Sequence, residues 1–174
     1  MMGKDALKSE RRTVLVVDDD ESQRLLIQRA FAKLDLKCCV ETLCSGNEAI
    51  AHLGGLGKFE DRQRRLPDYI ITDLNMDDGD GLVLLEFLKK NPALSAIPVV
   101  VLSSSENPDD IQRCSVLGCS SYFVKPATQT QLQHLLHKIE RRMERGMPSR
   151  QAKAANSANT LPSSGAALKR PDSL

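Results

Sequence analysis

Five short apolar runs, each followed by a longer stretch with helical periodicity, constrain this chain more than any other feature. The runs are TVLVV (13–17), KCCVET (37–42), YIIT (69–72), VVVL (99–102) and SYFV (121–124). Three show almost no polar alternation, as expected of parallel strands covered on both faces. Apolar residues then recur at helical spacing: Leu26, Ala30 and Leu34; Ala49, Ile50 and Leu53; Leu84, Leu85 and Leu88; Ile111, Cys114 and Leu117. After the fifth run come Leu132, Leu135, Leu136, Ile139 and Met143. Five βα units in a row imply an α/β fold, a doubly wound parallel sheet with helices on both faces. Right-handed crossovers leave few strand orders, and ligands of such sheets sit beyond the C-terminal strand ends at the switch point.

Caps support these helix starts. Thr128 and Gln131 form a capping box, and Asn107 caps the fourth helix with Pro108 at its first position. That helix has the thinnest apolar stripe and is expected to be the most loosely held. The connection 54–67, GGLGKFEDRQRRLP, is long, and its Arg62, Arg64 and Arg65 read as a solvated group.

The chain divides into an extension over 1–11, one domain over 12–146 and a tail over 147–174. The tail has no aromatic residue, is rich in Ser, Ala and Pro, and is expected to be disordered. From Met143 onward five basic side chains face two acidic ones, yet no DNA-binding helix pair fits there. Net charge is +1, so no global basic field attracts nucleic acid. No apolar stretch approaches a membrane span, and the charged N-terminus is not a secretory signal. Cys38, Cys39, Cys44, Cys114 and Cys119 contain no C-x-x-C pair and read as small buried hydrophobes in a reducing cytosol. His52, His134 and His137 complete no zinc spacing with them, and the last two read as a solvated pair.

Polar residues fall where the topology wants a site. The first run ends in Asp18, Asp19 and Asp20, the third in Asp73, the fourth in Ser103, Ser104 and Ser105, and the fifth in Lys125-Pro126. Two carboxylates about 4 Å apart repel by roughly 4 kcal/mol at an effective dielectric near 20. Asp18, Asp19 and Asp73 together therefore require a cation or partial protonation. A hard divalent ion suits an all-oxygen cluster, and Mg²⁺ keeps several waters and leaves room for a phosphoryl oxygen. Lys125 adds fixed positive charge and Ser103 a small hydroxyl. An acid nucleophile, a metal, a lysine and a hydroxyl are what a carboxylate needs to accept a phosphoryl group. Asp20, Asp78 and Asp80 read as caps or turn formers, and Ser104 and Ser105 as turn residues.

At this point the sequence resembles a response-regulator receiver domain, the phosphoacceptor half of a two-component system. VLVVDDDES, IITDLNMDDGDG, PVVVLSSS and SYFVKP carry the likeness, in order and over roughly residues 12–142. The resemblance implies a flavodoxin-like (CheY-like) sheet in the order 2-1-3-4-5. It implies that Asp73 is the phosphoacceptor and that Asp18 and Asp19 are the acidic pair, with Asp19 the more direct Mg²⁺ ligand. By the same resemblance Asn75 supplies a backbone carbonyl to the metal, Ser103 is the switch hydroxyl, Tyr122 the aromatic switch residue, and Lys125 precedes a cis-type bond to Pro126. Asp77 departs from the pattern, since many receivers carry proline there. The loop 54–67 and FLKKNPALSAIPVVVLSSSENPDDI look like single-domain receivers that pair with phytochrome-type histidine kinases.

The expectation is thus a cytoplasmic, bacterial response regulator that is no enzyme in the turnover sense but catalyses its own phosphoryl transfer and dephosphorylation. It takes its phosphoryl group from a sensor histidine kinase and signals to a downstream protein target, a homodimer being one form this can take. Two alternatives stand beside it. A small phosphatase of the haloacid-dehalogenase type would use Asp18 and Asp20, with Ser22, Ser103 and Lys125, but it needs acids after the lysine and leaves Asp73 unexplained. A non-phosphorylated binding module would keep the fold without the chemistry. A calcium loop over Asp73, Asn75 and Asp77 fails, because Asp78 and Leu84 stand where glycine and an acid are required.

Overall fold

A computed structural model describes residues 12–33, 38–60, 65–125 and 129–144. The extension 1–11, the tail 147–174, Leu34, Arg62, Arg64, Pro126, Thr128 and the Met143 side chain lie outside the described residues. The elements are β1 (Arg12–Val17), α1 (Glu21–Lys33), β2 (Cys38–Leu43), α2 (Gly46–Gly54), a 3-10 turn (Gly57–Phe59), β3 (Tyr69–Thr72), α3 (Gly81–Lys90), β4 (Val99–Ser103), α4 (Pro108–Val116), β5 (Ser121–Val124) and α5 (Gln129–Glu144). The five strands form one sheet in the order β2-β1-β3-β4-β5, every pair parallel.

Strand alternation divides the core in two. Leu15, Val17, Ile70, Val99 and Val101 face Ala49, Leu53, Leu84, Leu85, Leu88 and Cys114. Val14, Val16, Tyr69, Ile71, Val100 and Leu102 face Ile27 and Phe31 of α1 and Leu132, Leu135, Leu136 and Ile139 of α5. The central strands β1, β3 and β4 are buried almost throughout, which is why they read as unbroken apolar runs.

Three expectations shift. On α1 the buried stripe is Ile27 and Phe31, one residue later than expected, and Leu26 is 49% exposed. The helix phase is set at its start, where the Asp20 carboxylate accepts the Ser22 amide and the Asp20 carbonyl accepts that of Arg24. The second strand ends at Leu43, one residue beyond its apolar run, and pairs in register from Arg12↔Cys38 to Val17↔Leu43. Being an edge strand, it alternates, so Cys39 is exposed; Cys44, just past it, is exposed too, and of the five cysteines only Cys114 is buried. The connection 54–67 is not all solvated loop: Phe59, Leu66 and Pro67 are buried and Arg65 is half-buried.

Other expectations hold. Asn107 accepts the Asp109 amide at the start of α4, with Pro108 first. Asp80 caps α3 by accepting the Val83 amide. The α4 stripe, by contrast, is thinner than expected: Cys114 alone is buried, while Ile111 and Val116 are exposed. His134 and His137 are both exposed.

Gly81 sets the fit between α3 and the end of β3. A Cβ there would lie 2.2 Å from the Asp73 carbonyl oxygen. Gly81→Ala is expected to cost about 1–3 kcal/mol, read as a lower denaturant midpoint at unchanged slope.

Candidate phosphorylation site

Parallel register brings the acidic residues together. The Asp73 amide donates to the Val17 carbonyl at 2.9 Å, so the tip of β3 stands beside the tip of β1. Asp18 (2% exposed) and Asp73 (6%) are buried there, and Asp19 is exposed at the rim. Carboxylate oxygens of the three lie within 4.8 Å of one another.

Each acid is held by its own loop. Asp18 Oδ1 accepts the Asp20 amide at 2.9 Å. Asp73 Oδ1 accepts the amides of Leu74 and Asn75 at 2.6 and 3.3 Å. Asp19 Oδ2 accepts the Asp77 amide at 3.4 Å. Lys125 at the tip of β5 spans the neighbouring β4 and donates to Asp18 Oδ2 at 2.7 Å and to Asp73 Oδ2 at 2.9 Å. Its root is fixed because its amide donates to the Ser103 carbonyl at 2.7 Å.

Burial raises the Asp18 pKa above the ordinary carboxylate range, against hydrogen bonds from Lys125 and the Asp20 amide that lower it. Burial alone would lower the Lys125 pKa, but its bonds to Asp18 and Asp73 outweigh this and raise it. Lys125 is therefore a fixed cation between two buried carboxylates. The all-oxygen donor set fits a divalent cation, with Asp19 the acid most open to solvent.

Ser103 is fully buried at the end of β4, and its Oγ accepts the Ser105 amide at 3.2 Å. Tyr122 packs against the core beneath α4 and donates its hydroxyl to the Ser105 carbonyl at 2.7 Å. Its ring is thus turned inward, and burial raises its pKa. Asn75 is exposed beside Asp73. The structure brings Asp18, Asp19, Asp73 and Lys125 together, ties Ser103 to them through the Lys125 amide, places Asn75 two residues beyond Asp73 on the loop, and links Tyr122 to the Ser105 carbonyl.

Sequence reasoning missed three residues. Arg24, four residues after Asp20 on α1, donates to the Asp18 carbonyl and pins the β1–α1 loop. Ser105, expected as a plain turn residue, is a junction that also donates its hydroxyl to Asp110 Oδ2 at 2.6 Å. Asn47 donates to Asp78 across 31 residues, and no local pattern signals it.

A five-stranded 2-1-3-4-5 sheet with an acidic pair, an aspartate, a hydroxyl and a lysine at its carboxyl edge defines a phosphoacceptor class. The chain belongs to the response regulator receiver domain family, which matches residues 14–137, and it is a two-component response regulator. Members of this family work with histidine kinases. It is 33% identical over 127 residues to the probable methanogenesis regulatory protein FilR2 of Methanothrix harundinacea, covering 73% of this chain and 80% of that one. It superposes on the phosphorylated cyanobacterial phytochrome response regulator RcpA with TM-score 0.66 and 37% identity, covering 75% and 91% of the two chains. The Mn²⁺-bound form of response regulator Rcp1 matches with TM-score 0.66 and 32% identity, covering 74% and 91%. Among the described residues no helix is long and apolar enough to cross a membrane.

Removing Lys125 leaves Asp18 and Asp73 facing each other without a counter-charge. With chelator present at neutral pH, Lys125→Met is expected to lose about 2–4 kcal/mol in chemical denaturation. Because the Lys125 pKa is raised, its contribution is complete below the ordinary lysine value of 10.5 and lost as pH climbs through the raised value. The gap between wild type and variant is therefore expected to close in strongly alkaline buffer.

Proposed function

We propose that Asp73 accepts a phosphoryl group from the phosphohistidine of a sensor histidine kinase. The observation that carries this reading is the bridge from one Lys125 ammonium to both Asp18 and Asp73, beside Asp19. A carboxylate oxygen of Asp73 attacks phosphorus, the P–N bond breaks, and its electron pair returns to the imidazole ring. The carboxylates of Asp18, Asp19 and Asp73 and the Asn75 carbonyl would hold Mg²⁺, which would offset charge on the phosphoryl oxygens. Lys125 neutralises a further phosphoryl oxygen. The Ser103 hydroxyl then donates to the phosphoryl group, which draws on the Ser105 amide and so on Tyr122.

The product is an acyl phosphate that biases a two-state equilibrium of the face formed by α4, β5 and α5. That face signals to a downstream protein target, with a homodimer as one output, from a cytoplasmic location. The likeness to phytochrome response regulators supports a phytochrome-type kinase as the donor. The chain catalyses its own phosphorylation and dephosphorylation and turns over no separate substrate.

Incubation with acetyl phosphate and Mg²⁺ is expected to add one phosphoryl group by intact mass, and Asp73→Asn is expected to remove the gain. Full labelling of Asp73→Asn would move the acceptor elsewhere. Lys125→Ala is expected to keep labelling while losing the phosphorylation-induced change in partner affinity or oligomer state.

A further inference from the structure

The loop from β3 to α3 carries Asn75 and Asp77 past the acidic cluster. Halfway along, it is gripped from the side by the first turn of α2. The Gly46 amide donates to the Gly79 carbonyl at 3.0 Å and the Asn47 amide to the Asp78 carbonyl at 3.3 Å. Asn47 Nδ2 donates to Asp78 Oδ1 at 2.7 Å. Two glycines permit this approach. A Cβ on Gly46 would stand 2.1 Å from the Gly79 oxygen, and one on Gly79, where φ is +77°, would stand 2.7 Å from the Asn47 amide nitrogen and side chain.

The grip continues to the metal side of the pocket. One residue before Asp78, the Asp77 amide donates to Asp19 Oδ2 at 3.4 Å. Met76 anchors the first part of the loop in the core, but Asp77 has no ring to fix its φ, and Asp77 and Asp78 are both exposed, so beyond Met76 the path depends on outside contacts. Nor does α2 need the Asn47 side chain for its own start. Ser45 already caps the helix by accepting the Glu48 amide at 3.0 Å, and the loop carbonyls satisfy the free amides of Gly46 and Asn47. The Asn47 amide group therefore acts outward, on the loop.

We propose that Asn47 is a positioning residue for the phosphorylation site: it holds Asp78 so that the loop presents the Asp77 amide to Asp19 and the Asn75 carbonyl to the cation. This rests on reading Asp18, Asp19 and Asp73 as a divalent-cation site. It assigns to α2, an element that contributes no group to the pocket, control over the geometry of the metal side.

The test is Mn²⁺ titration calorimetry on the full chain, with hydrogen exchange of residues 76–79 in the absence of metal. Asn47→Ala is expected to weaken Mn²⁺ binding about 3- to 10-fold and to speed exchange in the loop at an unchanged melting temperature. The Asn47→Asp/Asp78→Asn double variant reverses donor and acceptor at the same net charge, and it is expected to recover wild-type binding and exchange. Wild-type affinity in Asn47→Ala, or a double variant as weak as Asn47→Ala, overturns the proposal while leaving the cation site intact. Wild-type affinity in Asp19→Asn overturns the cation site itself and the proposal with it.

Discussion

The ion pair that joins Lys125 to Asp18 and Asp73 organises everything around it. Two carboxylates buried at the tips of adjacent strands are costly in isolation, since each loses water and each repels the other. One ammonium on a flexible stem, reaching over β4, makes them tolerable together. The arrangement demands that β1, β3, β4 and β5 be parallel and lie in this order, because only then do their C-terminal tips meet. The fold is thus a device for bringing four loop-borne polar groups to one edge of an apolar sheet.

Charge at this edge is held in reserve. Asp18 is pushed toward its neutral form by burial, and Lys125 is kept protonated by the same acids. On one flank, Ser103, Ser105, Tyr122 and Asp110 form a hydrogen-bonded chain from the pocket to α4, a helix with a single buried side chain. Few apolar contacts oppose its displacement, which suits it to carry an output. On the other flank the β3–α3 loop is tied to α2, whose Ala49 and Leu53 are anchored in the core. The two flanks thus differ in how firmly the core holds them.

Much of this was legible in the chain. The apolar runs of β1, β3 and β4 declared buried parallel strands, because a strand covered on both faces has no polar side to show. Asp18, Asp73, Ser103 and Lys125 could be picked out because each ends such a run, where side chains leave the core for the switch point. Less legible were features that depend on phase or on a neighbour. The α1 stripe at Ile27 and Phe31 was misread by one residue, since Leu25 and Leu26 are equally apolar and only the start of the helix decides which face turns inward. Cys39 and Cys44 are exposed against the expectation of burial, because edge position is a property of the sheet, not of the run. Asn47 and Ser105 carried no signal, because a hydrogen bond across 31 residues or a junction within a serine run has no local pattern.

Sequence alone settled the element types, their order and the chemical identity of the groups at the strand ends, because these follow from periodicity and from short-range capping. Tertiary structure alone decided which oxygens share Lys125, which helix face is buried and which helix meets the β3–α3 loop. These depend on distances between segments far apart in the chain, and such distances exist only once hydrophobic packing has fixed the sheet and its helices in place.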